Sequence, residues 1–359
     1  MRRTCASPMT DRLPATLISP RAITVLGTYR CTAECEDCCF DSNPRIKHRL
    51  SLESIVTFLE QTTASFPQID TVVFSGGECF LLGDDLNVAI AKAATMGLAA
   101  RCVTNGYWAR SLDNGRKRLA GLRDAGLKEL NISTGDFHQR WVSEETVVNA
   151  ACLGVELGLA TVVVVELRSG SSVTAQGLIE RNPALAERLG DKFDVIESPW
   201  MPMDAERSIP QRSDQLVDRR NVHLRGGCKS IFTTLVLTPA ERVGLCCGLS
   251  RERIPELNVA WDRSTPLTDL LTSAASDFLK IAIFVDGPER VLAWAASKNP
   301  NIDWEGRYSH HCHACLRVYS DPEVRATIAA HYRERVEDVL MRYSVLLRQQ
   351  EMLGAAIYA

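Results

Sequence analysis

Four cysteines, Cys31, Cys35, Cys38 and Cys39, lie within nine positions in the stretch RCTAECEDCCF. Such a group could form a disulfide knot, bind zinc or hold an iron–sulfur cluster. Cys31, Cys35 and Cys38 have x3 and x2 spacing, so one short loop offers three thiolates. A structural zinc site closes with four ligands, whereas a 4Fe–4S cluster held by three cysteines leaves one iron open. The open iron is the feature that could do chemistry.

A second group of cysteines lies in the last third of the chain. Cys228 and Cys246 have x17 spacing, and Cys312 and Cys315 follow after a long gap with x2 spacing. Four ligands from separated segments would close a site, which could hold either an iron–sulfur cluster or a structural zinc ion. Cys247 is interpreted as the spare, because adjacent cysteines rarely bind one cluster together.

Composition and termini limit the classes of protein that this chain can be. It has 359 residues, 45% hydrophobic and 24% charged, with a formal charge of -3, which predicts a soluble globular protein and no nucleic-acid partner. The first residues have no apolar signal region, and no window reaches about 18 apolar residues, so neither secretion nor a membrane is expected. We therefore expect a cytoplasmic protein, whose thirteen cysteines are better explained as reduced thiols with metal or catalytic roles.

The elements that must position the first cysteines are predicted between residues 20 and 204. Short apolar runs such as AITVLG, IDTVVFSGG and ATVVVVEL alternate with amphipathic stretches such as SLESIVTFLEQ. Continuous apolar strands with intervening helices are typical of a parallel sheet, and six such units predict an α/β fold with a partial (β/α)6 TIM-type barrel. The cysteine triplet follows the first strand, at the end of the barrel where active sites form.

The pattern predicts further segments around this barrel. Residues 1–19 are an N-terminal extension, 205–227 a polar linker, 228–318 a small auxiliary domain, and 319–359 a long C-terminal helix. A β-hairpin should turn at Pro239 and Ala240. Asp321 and Pro322 suit the N-cap and first turn of the last helix, which is expected to pack on the barrel.

CxxxCxxC after the first strand and SGGE after the second together resemble the radical S-adenosylmethionine (radical SAM) superfamily, over residues 20 to 200. The resemblance implies that Cys31, Cys35 and Cys38 hold a 4Fe–4S cluster whose open iron chelates S-adenosylmethionine (AdoMet). Reductive cleavage of AdoMet would then give a 5′-deoxyadenosyl radical that abstracts a substrate hydrogen. In such enzymes the cofactor supplies the difficult chemistry and the protein supplies orientation.

The same resemblance suggests which residues contact AdoMet. Two glycines let the backbone approach its methionine moiety, the following glutamate region accepts hydrogen bonds from its ammonium group, and polar side chains after later strands reach its carboxylate or ribose. The implied residues are Gly76, Gly77, Glu78, Asn105, Ser133 and Arg140. Turn and capping roles explain Asn105 and Ser133 about equally well. Glu166 and Arg168 should face the same site without an assigned role.

Two positions depart from the usual pattern of the superfamily. The residue before the third cysteine is commonly aromatic, but here it is Asp37, with Phe40 as the candidate substitute beside the adenine. Cys79 follows Glu78 where proline is common, and a small buried side chain is the simpler interpretation.

The second group of cysteines resembles the twitch subdomain, a shortened SPASM extension that carries an auxiliary 4Fe–4S cluster. The resemblance implies Cys228, Cys246, Cys312 and Cys315 as its ligands, with zinc as the competing interpretation. His310, His311 and His313 could tune such a cluster or be solvated. Cys5, Cys102 and Cys152 are interpreted as core or surface thiols, although a free thiol near the radical could donate a hydrogen atom in an epimerisation.

Enzymes with such extensions mostly oxidise or crosslink side chains of ribosomally made peptides, or dehydrogenate small alcohols. The predicted function is therefore oxidative modification of a peptide by a radical SAM oxidoreductase. The alternative is a dehydrogenase of a small amino acid, sugar or aminocyclitol. Both need a reductase that supplies electrons.

Overall fold

The computed structural model describes residues 19–204, 207, 209–275 and 277–357. The predicted N-terminal extension, 1–19, lies outside these residues except for its last position, and so does Cys5. In the described part of the chain, nine strands form one sheet in the order β6-β5-β4-β3-β2-β1-β7-β8-β9. The strands are β1 (Ala22–Leu26), β2 (Thr71–Ser75), β3 (Ala99–Thr104), β4 (Leu127–Gly135), β5 (Ala160–Leu167), β6 (Phe193–Pro199), β7 (Thr234–Leu237), β8 (Arg242–Gly244) and β9 (Asn258–Ala260).

Helices connect the first six strands, which are all parallel. Serine caps begin several of them: the Ser51 side chain accepts a hydrogen bond from the Ser54 N–H, and Ser111 and Ser143 cap their helices in the same way. The helices are α1 (Leu52–Ser65), α2 (Asp84–Thr95), α3 (Leu112–Ala125), α4 (Glu144–Glu156), α5 (Ala175–Arg181) and α6 (Pro183–Ala186). The predicted mixed α/β fold with a parallel sheet is confirmed, and it is consistent with a partial TIM-type barrel.

Side chains alternate along the strands between two environments. In β5, Val163 and Val165 are fully buried in the core beneath the helices, whereas Glu166 lines a cavity on the other face. Val72 and Phe74 of β2 have the same core position. One face of the sheet is the wall of a cavity, so polar side chains are tolerated there.

The predicted hairpin forms, but it extends the main sheet and has no sheet of its own. β7 and β8 are antiparallel around a turn at 238–241, and β7 also pairs in parallel with β1 through Ala22 and Thr234. Leu235, Leu237 and Val243 join the barrel core. The predicted boundary at residue 228 therefore does not separate two hydrophobic cores.

The helices after β9 begin with α7 (Leu267–Ala275), whose Leu267 and Leu271 join the barrel core. The others form a second core: they are α8 (Phe278–Asp286), α9 (Pro288–Lys298), α10 (His311–Ser320), α11 (Pro322–His331) and α12 (Val336–Ile357). Asp321 caps α11 as predicted, accepting hydrogen bonds from the Glu323 and Val324 N–H groups. The single long C-terminal helix is wrong, because a 3₁₀ turn at Tyr332–Arg335 separates α11 from α12.

The C-terminal helix packs differently from the expectation. Val339 and Tyr343 of α12 are buried with α8 in the second core, and Asp286 of α8 is fully buried against Arg335 (2.6 Å) and Arg342 (2.7 Å). The predicted linker also contributes, because Val217 is fully buried in this core. Among the described residues, no helix is both long and apolar enough to cross a membrane.

Candidate active site

The cavity lies at the carboxyl ends of the parallel strands and has a volume of about 370 Å³. Cys31, Cys35 and Cys38 all line it, from the loop that follows β1. Backbone hydrogen bonds shape this loop: the Cys31 N–H donates to the Asn43 carbonyl (3.2 Å) and the Cys38 N–H to the Cys35 carbonyl (3.3 Å). The fold thus brings the three predicted ligands to one wall.

The thiols of this loop have different electrostatic environments. Burial raises the pKa of Cys31 to about 12 and that of Cys35 to about 12. Hydrogen bonds, first from the neighbouring Cys39, lower the pKa of Cys38 to about 6. Three thiols from one loop beside a cavity are a donor set that suits an iron–sulfur cluster, since metal binding favours thiolates that burial alone would keep protonated.

Gly76 and Gly77 hold the cysteine loop by close backbone contact. A Cβ at Gly77 would lie 2.3 Å from the Arg30 carbonyl oxygen, and one at Gly76, whose φ is +128°, would lie 2.3 Å from the Thr28 carbonyl oxygen. The Gly77 N–H donates to Thr28 (2.7 Å), and the next N–H donates to Arg30 (2.9 Å). Both glycines line the cavity, and any side chain here would push the loop away.

The Glu78 side chain does not lie where a cofactor contact is expected. Its side chain is fully buried, and it accepts hydrogen bonds from the N–H groups of Phe80 (3.0 Å) and Asn105 (2.9 Å) and from the Thr104 hydroxyl (2.9 Å). Burial raises its pKa to about 7, against the opposing effect of these hydrogen bonds. The carboxylate joins the ends of β2 and β3 and is not among the groups that line the cavity.

Asn105 connects Glu78 to the cysteine loop. Its side-chain amide donates to the Thr32 hydroxyl (3.0 Å) and lies 3.5 Å from the Cys31 sulfur. Its side-chain oxygen accepts from the Tyr107 N–H (3.0 Å), which fixes the orientation of the amide. A chain of contacts therefore runs from Glu78 through Asn105 to the first cysteine.

The remaining predicted contacts divide between the cavity and the surface. Ser133 lines the cavity at the end of β4, and Phe40 lines it near the cysteines. Arg140 does not line it: its side chain is 62% exposed, 3.8 Å from Glu36 and stacked over the Phe137 ring. Its charge still lowers the pKa of Cys35, against the larger effect of burial. Asp37, in place of the usual aromatic residue, pairs with Arg207 (2.8 Å).

Glu166 has no role predicted from the sequence, and its neighbours His138 and Trp200 are not among the predicted site residues. Glu166 Oε2 and His138 Nδ1 are 3.6 Å apart, and neither atom has a hydrogen-bond partner among the described residues. Burial, with the Cys38 thiolate adding to its effect, raises the pKa of Glu166 to about 8, and burial lowers the pKa of His138 to about 4. All three side chains line the cavity and offer a bound molecule polar contacts. The signal for Glu166 was its place at the end of a strand.

The second group of cysteines also converges. A Cβ at Gly248 would lie 3.2 Å from the Cys312 sulfur and 3.5 Å from the Cys246 sulfur. Burial raises the pKa of Cys315, and the nearby thiolates of Cys246, Cys312 and Cys228 raise it further. Within the described ranges, no three His, Cys, Asp or Glu side chains are arranged around a single metal ion. Four buried or partly buried thiols from three segments are a soft donor set that fits an iron–sulfur cluster.

Cys247 lies next to this second group but also reaches the first cavity. Its thiol is exposed, lies 3.4 Å from the Ser230 hydroxyl and lines the same cavity as the first cysteines. Cys79 and Cys102 are fully buried in the barrel core, and Cys79 donates to the Val103 carbonyl (3.3 Å), as the simpler interpretation expected.

The three histidines beside the CxxC have structural contacts. His310 Nδ1 accepts a hydrogen bond from the Cys312 N–H (3.1 Å) and caps α10, and burial lowers its pKa to about 4. His311 Nδ1 is 2.6 Å from the buried Glu289. His313 packs edge-on against Tyr308.

The fold of this chain is similar to those of solved structures. The chain is similar to the solved structure of anSMEcpe with bound AdoMet, at 11% identity and a TM-score of 0.57, covering 92% of this chain and 100% of that one. It is also similar to anSMEcpe with bound AdoMet and the Cp18Cys peptide, at 11% identity and a TM-score of 0.54, covering 87% and 99%.

Similarity at the level of sequence is confined to a shorter part of the chain. The Bacillus subtilis (strain 168) protein YydG, provisionally named a peptide biosynthesis protein, is 26% identical over 120 residues, which are 33% of this chain. The match spans 37% of the length of that relative. No protein-family model matches the chain. The chain therefore shares the fold of the anSMEcpe structures.

Proposed function

We propose that this chain is a radical SAM enzyme that cleaves AdoMet and modifies a peptide. The observation that carries the proposal is the convergence of Cys31, Cys35 and Cys38 on one cavity with Gly77 and Asn105. These residues come from three strand ends, and they bring thiols, open backbone and an amide to the place where a cluster and AdoMet would bind.

When bound, the reduced cluster and AdoMet would supply a 5′-deoxyadenosyl radical that removes a hydrogen atom from the substrate. The chain itself would hold the cluster through the three thiolates and orient AdoMet by the backbone of Gly76 and Gly77 and by Ser133. Trp200 and Met203 line the cavity and would exclude water from the radical. Arg140 is proposed to reach the AdoMet carboxylate only if its exposed side chain turns inward.

The second group is proposed to hold an auxiliary 4Fe–4S cluster through Cys228, Cys246, Cys312 and Cys315. Such a cluster suits net oxidation, because it can accept the electron that remains after hydrogen abstraction. A reductase would supply electrons to the first cluster. A peptide substrate is supported by the similarity to YydG, whose name assigns it to peptide biosynthesis.

A second candidate function is epimerisation of a peptide residue, and the position of Cys247 favours it. Its thiol is free, exposed and on the cavity wall. After a C–H bond of the substrate is broken, the S–H bond of Cys247 could break and a new C–H bond form on the opposite face. The resulting thiyl radical would take up one electron from the reductase and one proton. This reaction gives no net oxidation of the substrate.

Anaerobic reconstitution tests the two metal sites. The parent protein should bind about eight iron and eight sulfide ions, as two clusters require. Four iron ions with one zinc ion would disprove the auxiliary cluster. Replacing Cys31, Cys35 and Cys38 with alanine should abolish formation of 5′-deoxyadenosine, and cleavage of AdoMet at the parental rate would disprove the central proposal.

Product mass separates oxidation from epimerisation. Candidate peptides encoded by neighbouring genes are incubated with the protein, AdoMet and reductant in D₂O. Oxidation lowers the mass of the peptide by two hydrogens, whereas epimerisation with a solvent-exchanged thiol replaces one carbon-bound hydrogen with deuterium. The Cys247→Ala variant should prevent deuterium incorporation, with Cys152→Ala as the matched control. A product that forms equally well without Cys247 would exclude the second candidate.

A further inference from the structure

A short turn at Arg251–Arg253 contacts the first cysteine loop on both sides of its cysteines. The Tyr29 hydroxyl donates to Glu252 Oε1 (2.8 Å), and the Arg253 guanidinium donates to both carboxylate oxygens of Asp41 (2.9 and 3.2 Å). Tyr29 precedes Cys31 by two positions, and Asp41 follows Cys38 by three. The turn therefore contacts both the beginning and the end of the loop that is proposed to bind the radical cluster.

The turn is itself held rigidly by buried contacts. Arg251 is only 2% exposed, and its guanidinium donates to Glu252 (2.6 Å) and to the Asn258 side chain. The Asn258 amide donates in return to the carbonyls of Arg251 (3.0 Å) and Ile254 (2.9 Å). A buried arginine with its hydrogen bonds satisfied fixes the surrounding backbone strongly.

The segment just before the turn surrounds the second cysteine group. Cys246 lies five positions before Arg251, and Gly248 is in close contact with the sulfur atoms. The N–H groups of Leu249 and Ser250 donate to the Cys312 thiol, which opposes the larger effect of burial on its pKa. One continuous segment, 246–253, therefore contacts the second cysteine group at one end and the first cysteine loop at the other.

We propose that the Arg251–Arg253 turn is a positioning element that couples occupancy of the second cysteine site to the order of the first cysteine loop. The inference depends on one part of the proposed function, namely that the second cysteine site binds a metal. A bound metal fixes Cys246 and Cys312, and with them the turn that holds Tyr29 and Asp41. Asp41 has a φ of +50°, a conformation that costs free energy and needs such a contact to persist.

Hydrogen–deuterium exchange of residues 30–42 tests this coupling in the reconstituted full chain. The parent is compared with Cys312→Ala/Cys315→Ala, which removes the metal, and with Tyr29→Phe/Asp41→Asn, which removes the hydrogen bond of Tyr29 and the ion pair of Asp41 and leaves all cysteines. Phenylalanine retains the ring contact with Phe40, and asparagine tolerates a positive φ. Glu34→Gln is the matched control, because its exposed ion pair with Arg45 stays within the loop.

Both double variants should increase the exchange rate of residues 30–42 roughly tenfold, and the control should match the parent. The proposal is overturned if Tyr29→Phe/Asp41→Asn exchanges like the parent, or if Cys312→Ala/Cys315→Ala does so after losing four iron ions. Global unfolding of the cysteine variant, seen by circular dichroism, leaves the Tyr29→Phe/Asp41→Asn comparison as the deciding result. A parent that binds only four iron ions disproves the auxiliary cluster, whereas the contact variant still tests the turn.

Discussion

The change Gly77→Ala should displace the first cysteine loop. The new methyl group would lie 2.3 Å from the Arg30 carbonyl oxygen and 2.7 Å from the Tyr29 carbonyl oxygen, and both are backbone atoms that cannot rotate away. The φ of Gly77 is not in the left-handed region, so the effect of the substitution is steric.

The magnitude follows from the contacts that must separate. Overpacking in a tight region costs about 1–3 kcal/mol. Two backbone hydrogen bonds, from Gly77 to Thr28 and from Glu78 to Arg30, contribute about 1 kcal/mol each and are lost if the loop moves. The lower end of this total, about 3 kcal/mol, corresponds to at least roughly a hundredfold loss of the ordered loop.

The assays are the iron content and the rate of 5′-deoxyadenosine formation after anaerobic reconstitution. We expect Gly77→Ala to bind up to about four fewer iron ions and to cleave AdoMet about a hundredfold more slowly, with a parental circular dichroism spectrum. Gly226→Ala is the matched control, because a Cβ there meets no atom within 4 Å. Parental iron content and parental cleavage by Gly77→Ala would show that close packing of this glycine does not position the loop.

Three further changes test other contacts. Glu78→Gln should destabilise the fold by about 1–3 kcal/mol, since its amide cannot satisfy two N–H donors. Because burial raises the pKa of Glu78 from 4.5 to about 7, the stabilising contribution of this side chain is complete below pH 4.5 and is lost as the pH rises through 7. The difference between parent and variant in the free energy of unfolding, measured by urea denaturation, should therefore shrink over this interval, and a constant difference would contradict the assignment. Asp286→Asn should lower the free energy of unfolding by about 3 kcal/mol, because it leaves two arginines without their carboxylate. Asp338→Asn should lower it by less than about 1 kcal/mol, because the Asp338 side chain is 55% exposed. Equal midpoints of the two variants in urea denaturation would refute this. Asp321→Ala should cost about 1 kcal/mol in thermal denaturation by removing the cap of α11, and Asp321→Asn should retain most of it, unless the cap is unimportant and both melt like the parent.

Much of the local structure could be predicted because its causes are local. The side chain of Ser51 reaches an N–H group three positions ahead, and Asp321 does the same before Pro322. The turn of the hairpin near Pro239 needs only the preferences of a few adjacent residues. The order of strands and helices from 20 to 204 likewise follows from apolar periodicity along the chain, which needs no knowledge of distant contacts.

The place of a side chain at the site was harder to predict, because it depends on distant partners. Glu78 follows a strand in the sequence as a cofactor contact would, but the N–H groups that bind it come from Phe80 and Asn105. The pairing of Glu166 with His138 and the exposed position of Arg140 have no signal in the spacing of these residues.

The sequence by itself determined which residues could do chemistry, namely two groups of thiols with metal-ligand spacing and two glycines after a strand. Only the tertiary structure decided that β7 pairs with β1, so that the predicted hairpin extends the main sheet. It also decided that Cys247 faces the cavity of the first cysteines while the adjacent Cys246 faces the second group. The physical reason is that neighbouring side chains near a strand end point to opposite sides, and which side faces which site is set by the pairing of strands far apart in the sequence.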